Sequence, residues 1–154
     1  MGKKLFYEEL VFLDKKYHDQ AEFFRSICAD LQQLGWVKSS FYQAITEREA
    51  AFSTGLETQP FSVAIPHTDA EHVEKNFIAF VRVVEPISFV HMGIPDKMVE
   101  AQMLFVLGIA DASNQVKILS NMIELLSNEA MMKQLISAQD PADIVQIMNQ
   151  AVSL

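Results

Sequence analysis

Met103-Leu104-Phe105-Val106-Leu107-Gly108-Ile109-Ala110, running on into Asp111-Ala112-Ser113-Asn114-Gln115-Val116, is where the sequence declares its fold. The first half is an apolar run far too short to span a bilayer and too uniform to face water on one side. It predicts a strand covered on both faces. Behind it Val116, Leu119, Met122, Ile123 and Leu126 recur at helical spacing, after Ser113 or Asn114 as a cap. A buried strand that feeds an amphipathic helix predicts α/β architecture. Free backbone N–H groups at the junction between Ala110 and Gln115 would favour an anion there.

Working outward, the upstream sequence supplies more strands. Phe77 to Val84 and Phe61 to Ile65 read as two, Leu10 to Leu13 as a short opening one, and Pro86, Gly93 and Pro95 as a turn-rich excursion. Asp19 lies three before Glu22, a capping-box spacing, and Phe24, Ile27, Cys28 and Leu31 follow on one helical face until Gly35. A second helix opens near Ser39 or Ser40 with the stripe Phe41, Ala44, Ile45 and Phe52. Position 48 falls on that stripe and is Arg. A stranded core cation is costly, so Arg48 either meets an anion, snorkels at the stripe's edge, or pairs with a local glutamate. Downstream, one helix carries Met131, Met132, Leu135 and Ile136. Another opens with Asp140 and Pro141 and carries Ile144, Ile147, Met148 and Ala151. The sum is an α/β sandwich, a small central β-sheet with helices on both faces.

At 154 residues, with no repeat or linker-like stretch, residues 1–154 read as a single domain. Acidic residues at Glu8 and Glu9 cut short any leader-like apolar run, and one cysteine, Cys28 on an apolar stripe, rules out an internal disulfide. A cytoplasmic location is expected. The net charge of −8, from 20 acidic against 12 basic residues, argues against nucleic acid and suits a basic protein partner, or solubility alone.

Four histidines are present. His18 lies in a polar segment and His91 in the turn-rich region; both read as structural or solvated. His67 differs because it closes the apolar segment Phe61-Ser62-Val63-Ala64-Ile65-Pro66, whose proline fixes the chain as it leaves the strand. An imidazole so placed keeps one nitrogen as a nucleophile while the other is oriented by a hydrogen bond. Two constellations compete for it. His67, Asp69, Glu71 and His72 could suggest a metal, but the cysteine count and the histidine spacing fit poorly, and no metal is expected. Alternatively Arg48 supports a phosphorylated His67, since phosphoryl transfer needs positioning and compensating positive charge. No Walker loop, G-x-G-x-x-G or G-x-S-x-G occurs.

Ala64-Ile65-Pro66-His67 resembles the A-[IV]-P-H motif of the phosphotransferase system (PTS) enzyme IIA family of the mannitol, fructose and nitrogen class. The stretch Ile45 to Glu49, then Phe52-Ser53-Thr54-Gly55-Leu56, resembles that family's R-E helix end and threonine/glycine loop. Pro66-His67-Thr68-Asp69-Ala70-Glu71-His72-Val73 is similar to the galactitol-type branch, with its second histidine. The resemblance runs from about residue 20 onward, Met103 to Leu126 included. It implies a mixed central β-sheet between helices and a phosphohistidine carrier that needs no cofactor. His67 would accept a phosphoryl group from phospho-HPr and pass it to a cysteine of a cognate enzyme IIB, in functional association with a membrane IIC. Arg48 would hold phosphate oxygens. Thr54, His72 and Gln115 are further candidates for steadying the phosphate. Gln115 stands where mannitol-type members carry a second active-site histidine, and its amide can donate a hydrogen bond but carries no charge. That departure favours the galactitol-like branch. A regulatory phosphohistidine domain, acting on a transcription factor, kinase or transporter, would present the same site; a metal-dependent hydrolase is a third reading.

Overall fold

The computed structural model describes residues 4–152. Met1, Gly2 and Lys3 of the segment read above as no leader, and the last two residues of the 1–154 span, lie outside the described residues. Five strands, β1 (Val11–Lys15), β2 (Gly55–Leu56), β3 (Ser62–Ala64), β4 (Phe77–Val90) and β5 (Met98–Gly108), form one sheet in the order β1-β4-β5-β3-β2. The sheet is mixed. β4 pairs antiparallel with β5 and β2 with β3, while β1 runs parallel to β4 and β3 parallel to β5. Helices α1 (Gln20–Gln33) and α2 (Phe41–Ala51) come before the long strands; α3 (Ala112–Leu125), α4 (Glu129–Ser137) and α5 (Pro141–Ala151) follow them.

Alternation along the central strands builds a core on each face. Phe77, Ala79, Val81 and Val83 of β4 pack with Phe23, Phe24, Ile27 and Leu31 of α1 and with Phe41 and Ile45 of α2. The intervening Ile78 and Phe80, with Met103, Phe105 and Leu107 of β5, pack with Ile118 and Met122 of α3, Leu135 of α4 and Met148 of α5. This is why β5 is apolar without interruption from Met103 to Gly108. Each face has its own layer of helices, and each buried side chain of this size contributes roughly 1.5–3 kcal/mol.

Local signals set several helix ends as expected. Asp19 caps α1 by accepting the Glu22 N–H at 2.9 Å, and Gly35, at φ +86, supplies the left-handed turn beyond it. Asp140 accepts the Ala142 N–H, and Pro141 opens α5. Elsewhere tertiary structure overrides the reading. β4 continues through Pro86 to Val90 because the register slips between Arg82 and Ile87, so Pro86 sits exposed in a bulge where no ladder donor is required. The cap of α3 is Asp111, not Ser113 or Asn114, and Val116 is 71% exposed instead of lying on the buried stripe. The helix α2 buries Phe41, Ile45 and Glu49, while Phe52 lies past its end and is 65% exposed. The charge on the core-facing stripe is therefore Glu49; Arg48 sits at its edge.

Beyond Ala64 the chain stays extended alongside β5. Leu107 donates its N–H to the Pro66 carbonyl at 3.0 Å, and His67 pairs with Leu107 in a parallel bridge. On the other flank, Gly55 of β2 lies so close to the end of the β4–β5 hairpin that a Cβ there would meet the Val90 carbonyl at 2.8 Å and the Val99 side chain. Only glycine fits. The edge of the sheet and the hairpin end are thus bolted together into two walls of one cleft.

Candidate functional site

His67 is held from two sides. Its backbone is fixed by the pairing with Leu107, and its Nδ1 lies 2.9 Å from the Ile65 carbonyl oxygen. A carbonyl can only accept, so Nδ1 carries the proton and Nε2 is left with a bare lone pair. The residue is 7% exposed, and burial holds the imidazole below its ordinary range. The Ile65 hydrogen bond opposes that shift, Arg48 adds to it, and Asp69 opposes it. His67 is therefore neutral at pH 7, the form in which Nε2 can attack.

The ring opens onto a cleft of about 530 Å³ lined by Arg48, Phe52, Thr54, His67, His91 and Leu119, among others. Arg48 and His67, far apart in sequence, therefore share one cavity. Arg48 is in the last turn of α2, where a cation suits the helix dipole. Its guanidinium lies over the Phe52 ring, 4.8 Å from the centroid, and its Nη1 is 3.6 Å from Asp69 Oδ1. Among the described residues its buried Nε has no hydrogen-bond partner. The Arg48 side chain is 38% exposed, so its guanidinium has spare donors and reaches solvent.

The remaining candidates have other partners. Thr54 lines the cleft, but its hydroxyl donates to Glu49 Oε1 at 2.7 Å and its N–H to Oε2 at 2.8 Å. Gln115 donates from Nε2 to the Thr68 carbonyl at 2.6 Å, which ties the chain just past His67 to α3. His72 does not line the cleft. Its Nδ1 is bonded to Ser40 Oγ at 2.8 Å, which also explains why Ser40 starts α2 without giving its side chain to the helix. The Ala110–Gln115 junction is closed to an external anion, because the Asp111 carboxylate takes the Ser113 N–H, the Ser113 hydroxyl and the Asn114 amide. Among the described residues no three His, Cys, Asp or Glu side chains come together as a metal would need. No helix among them is long and apolar enough to cross a membrane.

Two residues stand out that sequence reasoning passed over. His91 was read as structural; it lines the cleft, and its Nδ1 accepts the Gly93 N–H at 3.0 Å. Glu49 is 5% exposed, and burial raises its carboxyl against the lowering effect of both Thr54 donors. Its position four after Ile45 and eight after Phe41 was the available signal.

The architecture is shared with enzyme IIA domains of sugar phosphotransferase systems. Enzyme IIA mannitol of Escherichia coli, solved in complex with phosphorylated enzyme IIB mannitol, matches with a TM-score of 0.69 and 20% identity over 91% of this chain and 94% of that one. The chain itself belongs to the family described as phosphoenolpyruvate-dependent sugar phosphotransferase system, EIIA 2, which it matches over residues 4–151. It is 27% identical over 143 residues to multiphosphoryl transfer protein 1 of E. coli K12, covering 91% of this chain but only 16% of that protein. It is 26% identical over 119 residues to the galactitol-specific EIIA component of the same strain, covering 77% of this chain and 79% of that one.

Proposed function

We propose that this IIA unit carries a phosphoryl group on Nε2 of His67, accepting it from phospho-HPr and delivering it to a cognate enzyme IIB in sugar uptake of the galactitol-like kind. The observation that carries the reading is the bare Nε2 of a neutral, carbonyl-oriented imidazole in the same cleft as an arginine with unused donors. On acceptance the N–P bond of the donor breaks as another forms at Nε2. On delivery a cysteine sulfur of IIB attacks the phosphorus, an S–P bond forms as the Nε2–P bond breaks, and the electron pair returns to Nε2, which restores the starting imidazole. Arg48 balances charge on the peripheral oxygens, which is most of what a protein must do for a loose phosphoryl transition state. No metal or cofactor enters.

Protein partners are supported by the rim of the cleft. Phe52, which lines the cleft, is 65% exposed, and Ile94, between the lining residues Gly93 and Pro95, is 48% exposed. Apolar side chains gathered around a polar centre suit transient docking, and the net charge of −8 suits a basic partner. The carrier works in the cytoplasm, in functional association with a membrane IIC.

The test is incubation with enzyme I, HPr and phosphoenolpyruvate, followed by intact-mass spectrometry. The wild-type chain gains one phosphoryl group and folded His67→Ala gains none. Full labelling of His67→Ala overturns the assignment.

A further inference from the structure

A continuous set of hydrogen bonds leads from the core-facing side of α2 to the imidazole. Glu49 Oε2 and Oε1 accept the N–H and O–H of Thr54 at 2.8 and 2.7 Å. The Thr54 carbonyl accepts the Ile65 N–H at 3.2 Å, and the Ile65 carbonyl accepts Nδ1–H of His67 at 2.9 Å. From this geometry we infer that Glu49 is a positioning residue for His67, acting through Thr54 and the backbone of Ile65. The inference deepens the carrier reading above and rests on it for its kinetic consequence only.

The physical content is geometric. Within Thr54 the N–H and the carbonyl belong to different peptide groups, and the same holds in Ile65, so charge is not relayed by conjugation. What passes along is position. The carboxylate pins both donors of Thr54 at the point where the chain leaves α2 for β2. Thr54 in turn fixes the Ile65 backbone that sets the tautomer and tilt of the ring. A buried carboxylate is expensive without partners, and here both of its oxygens face the same residue. Glu49 is therefore placed to hold one short segment with unusual firmness. Displacement of a reacting nitrogen by about 1 Å can cost on the order of 100-fold in rate.

The decisive measurement is nitrogen-15 NMR of the His67 ring in the unphosphorylated protein, with His18 as the internal reference. In the wild type, Nδ1–H of His67 is bonded and Nε2 is bare. In Glu49→Gln, which keeps shape but loses one acceptor, and in Thr54→Val, that tautomer becomes mixed and the bonded Nδ1–H signal weakens. The rate of phosphoryl acceptance falls about tenfold or more in both. Thr54→Ser restores much of what Thr54→Val loses. Met148→Ala, a cavity in the opposite core, lowers stability but leaves the His67 ring signals in place. An unchanged ring in folded Glu49→Gln and Thr54→Val overturns the inference, whatever their stability. Because the ring is read before any phosphate arrives, a wild-type protein that takes no phosphoryl group would sink the carrier reading while leaving this result to stand or fall alone.

Discussion

Two arginines, Arg48 and Arg82, lie against the same sheet and illustrate opposite uses of one side chain. Arg82, on β4, is 6% exposed and has a hydrogen-bond partner on every guanidinium nitrogen. Nε and Nη2 donate to Asp14 Oδ1 at 3.2 and 3.1 Å, and Nη1 donates to the carbonyls of Leu135 and Ala138 at the end of α4. It closes a helix C-terminus and fastens the bend in β1, where Asp14 takes φ +56. Arg48 lies over an aromatic ring, touches one exposed carboxylate, and keeps an Nε with no partner among the described residues. A saturated guanidinium holds structure. One left short of partners is available to an incoming anion.

The comparison breaks most visibly at Arg48. Arg48→Ala is expected to slow phosphoryl acceptance by roughly 100- to 1,000-fold, the usual loss of a donor to a transition-state oxygen. Stability should change by no more than about 1 kcal/mol, because its pairing with Asp69 is largely exposed. Quenched-flow labelling and urea melts of the same sample separate the two. A rate within a factor of two of wild type would make Arg48 a surface residue.

Arg82→Ala should show the reverse. It leaves the Leu135 and Ala138 carbonyls without their donor and opens a space in the core, while Asp14, 67% exposed, turns to water. The expected cost is about 2–4 kcal/mol in urea unfolding. Once folded, it should accept phosphate at nearly the wild-type rate. Exposed Arg25 on α1 supplies the neutral control for both substitutions.

Much of this contrast was hidden in the sequence, for identifiable reasons. The apolar run of β5, the caps Asp19 and Asp140 and the strand end at His67 are local signals, and local signals were enough to read the layers and the histidine at the strand's end. Arg48 was singled out for lying on a buried stripe, yet the buried charge of α2 is Glu49, one residue on. Helical spacing locates a stripe but not which of two adjacent residues at its margin turns inward, and only Thr54, folded back from the next loop, makes the burial of Glu49 possible. Pro86 read as a turn because a bulge depends on strand register, a long-range property. His72 and His67, close in sequence, separate because Ser40 captures one ring and Ile65 the other. Ser40 lies on a helix start that no spacing rule would pair with His72.

The pH dependence sharpens the role of charge around His67. Its folded pKa is lowered, first by burial, so the neutral ring persists below the ordinary imidazole value of 6.5. The midpoint of the acid-side fall in acceptance should therefore lie below pH 6.5. The same sign applies to stability: the contribution of the neutral ring is present above 6.5 and is lost as pH falls through the folded value. Arg48→Ala removes one of the lowering influences and moves the fall upward. A midpoint at or above pH 6.5 in the wild type, measured by labelling at saturating donor, would contradict a ring kept neutral by its surroundings.

The smallest effect probes the one anion that Arg48 already has. Asp69 Oδ1 lies 3.6 Å from Nη1 of Arg48 and also pulls the pKa of His67 upward. A phosphoryl group arriving at Nε2 must compete with that carboxylate for the guanidinium. Asp69 is 67% exposed, so the competition is worth at most about 1 kcal/mol, or roughly fivefold. Asp69→Asn should accordingly speed acceptance a few-fold and lower the pH at which it falls, two changes of opposite origin but the same direction of benefit. Added salt should shrink the difference between Asp69→Asn and wild type, because an exposed ion pair is screened. A slower Asp69→Asn would mean that the carboxylate holds Arg48 in the working position, and that the spare capacity of this arginine depends on its neighbour.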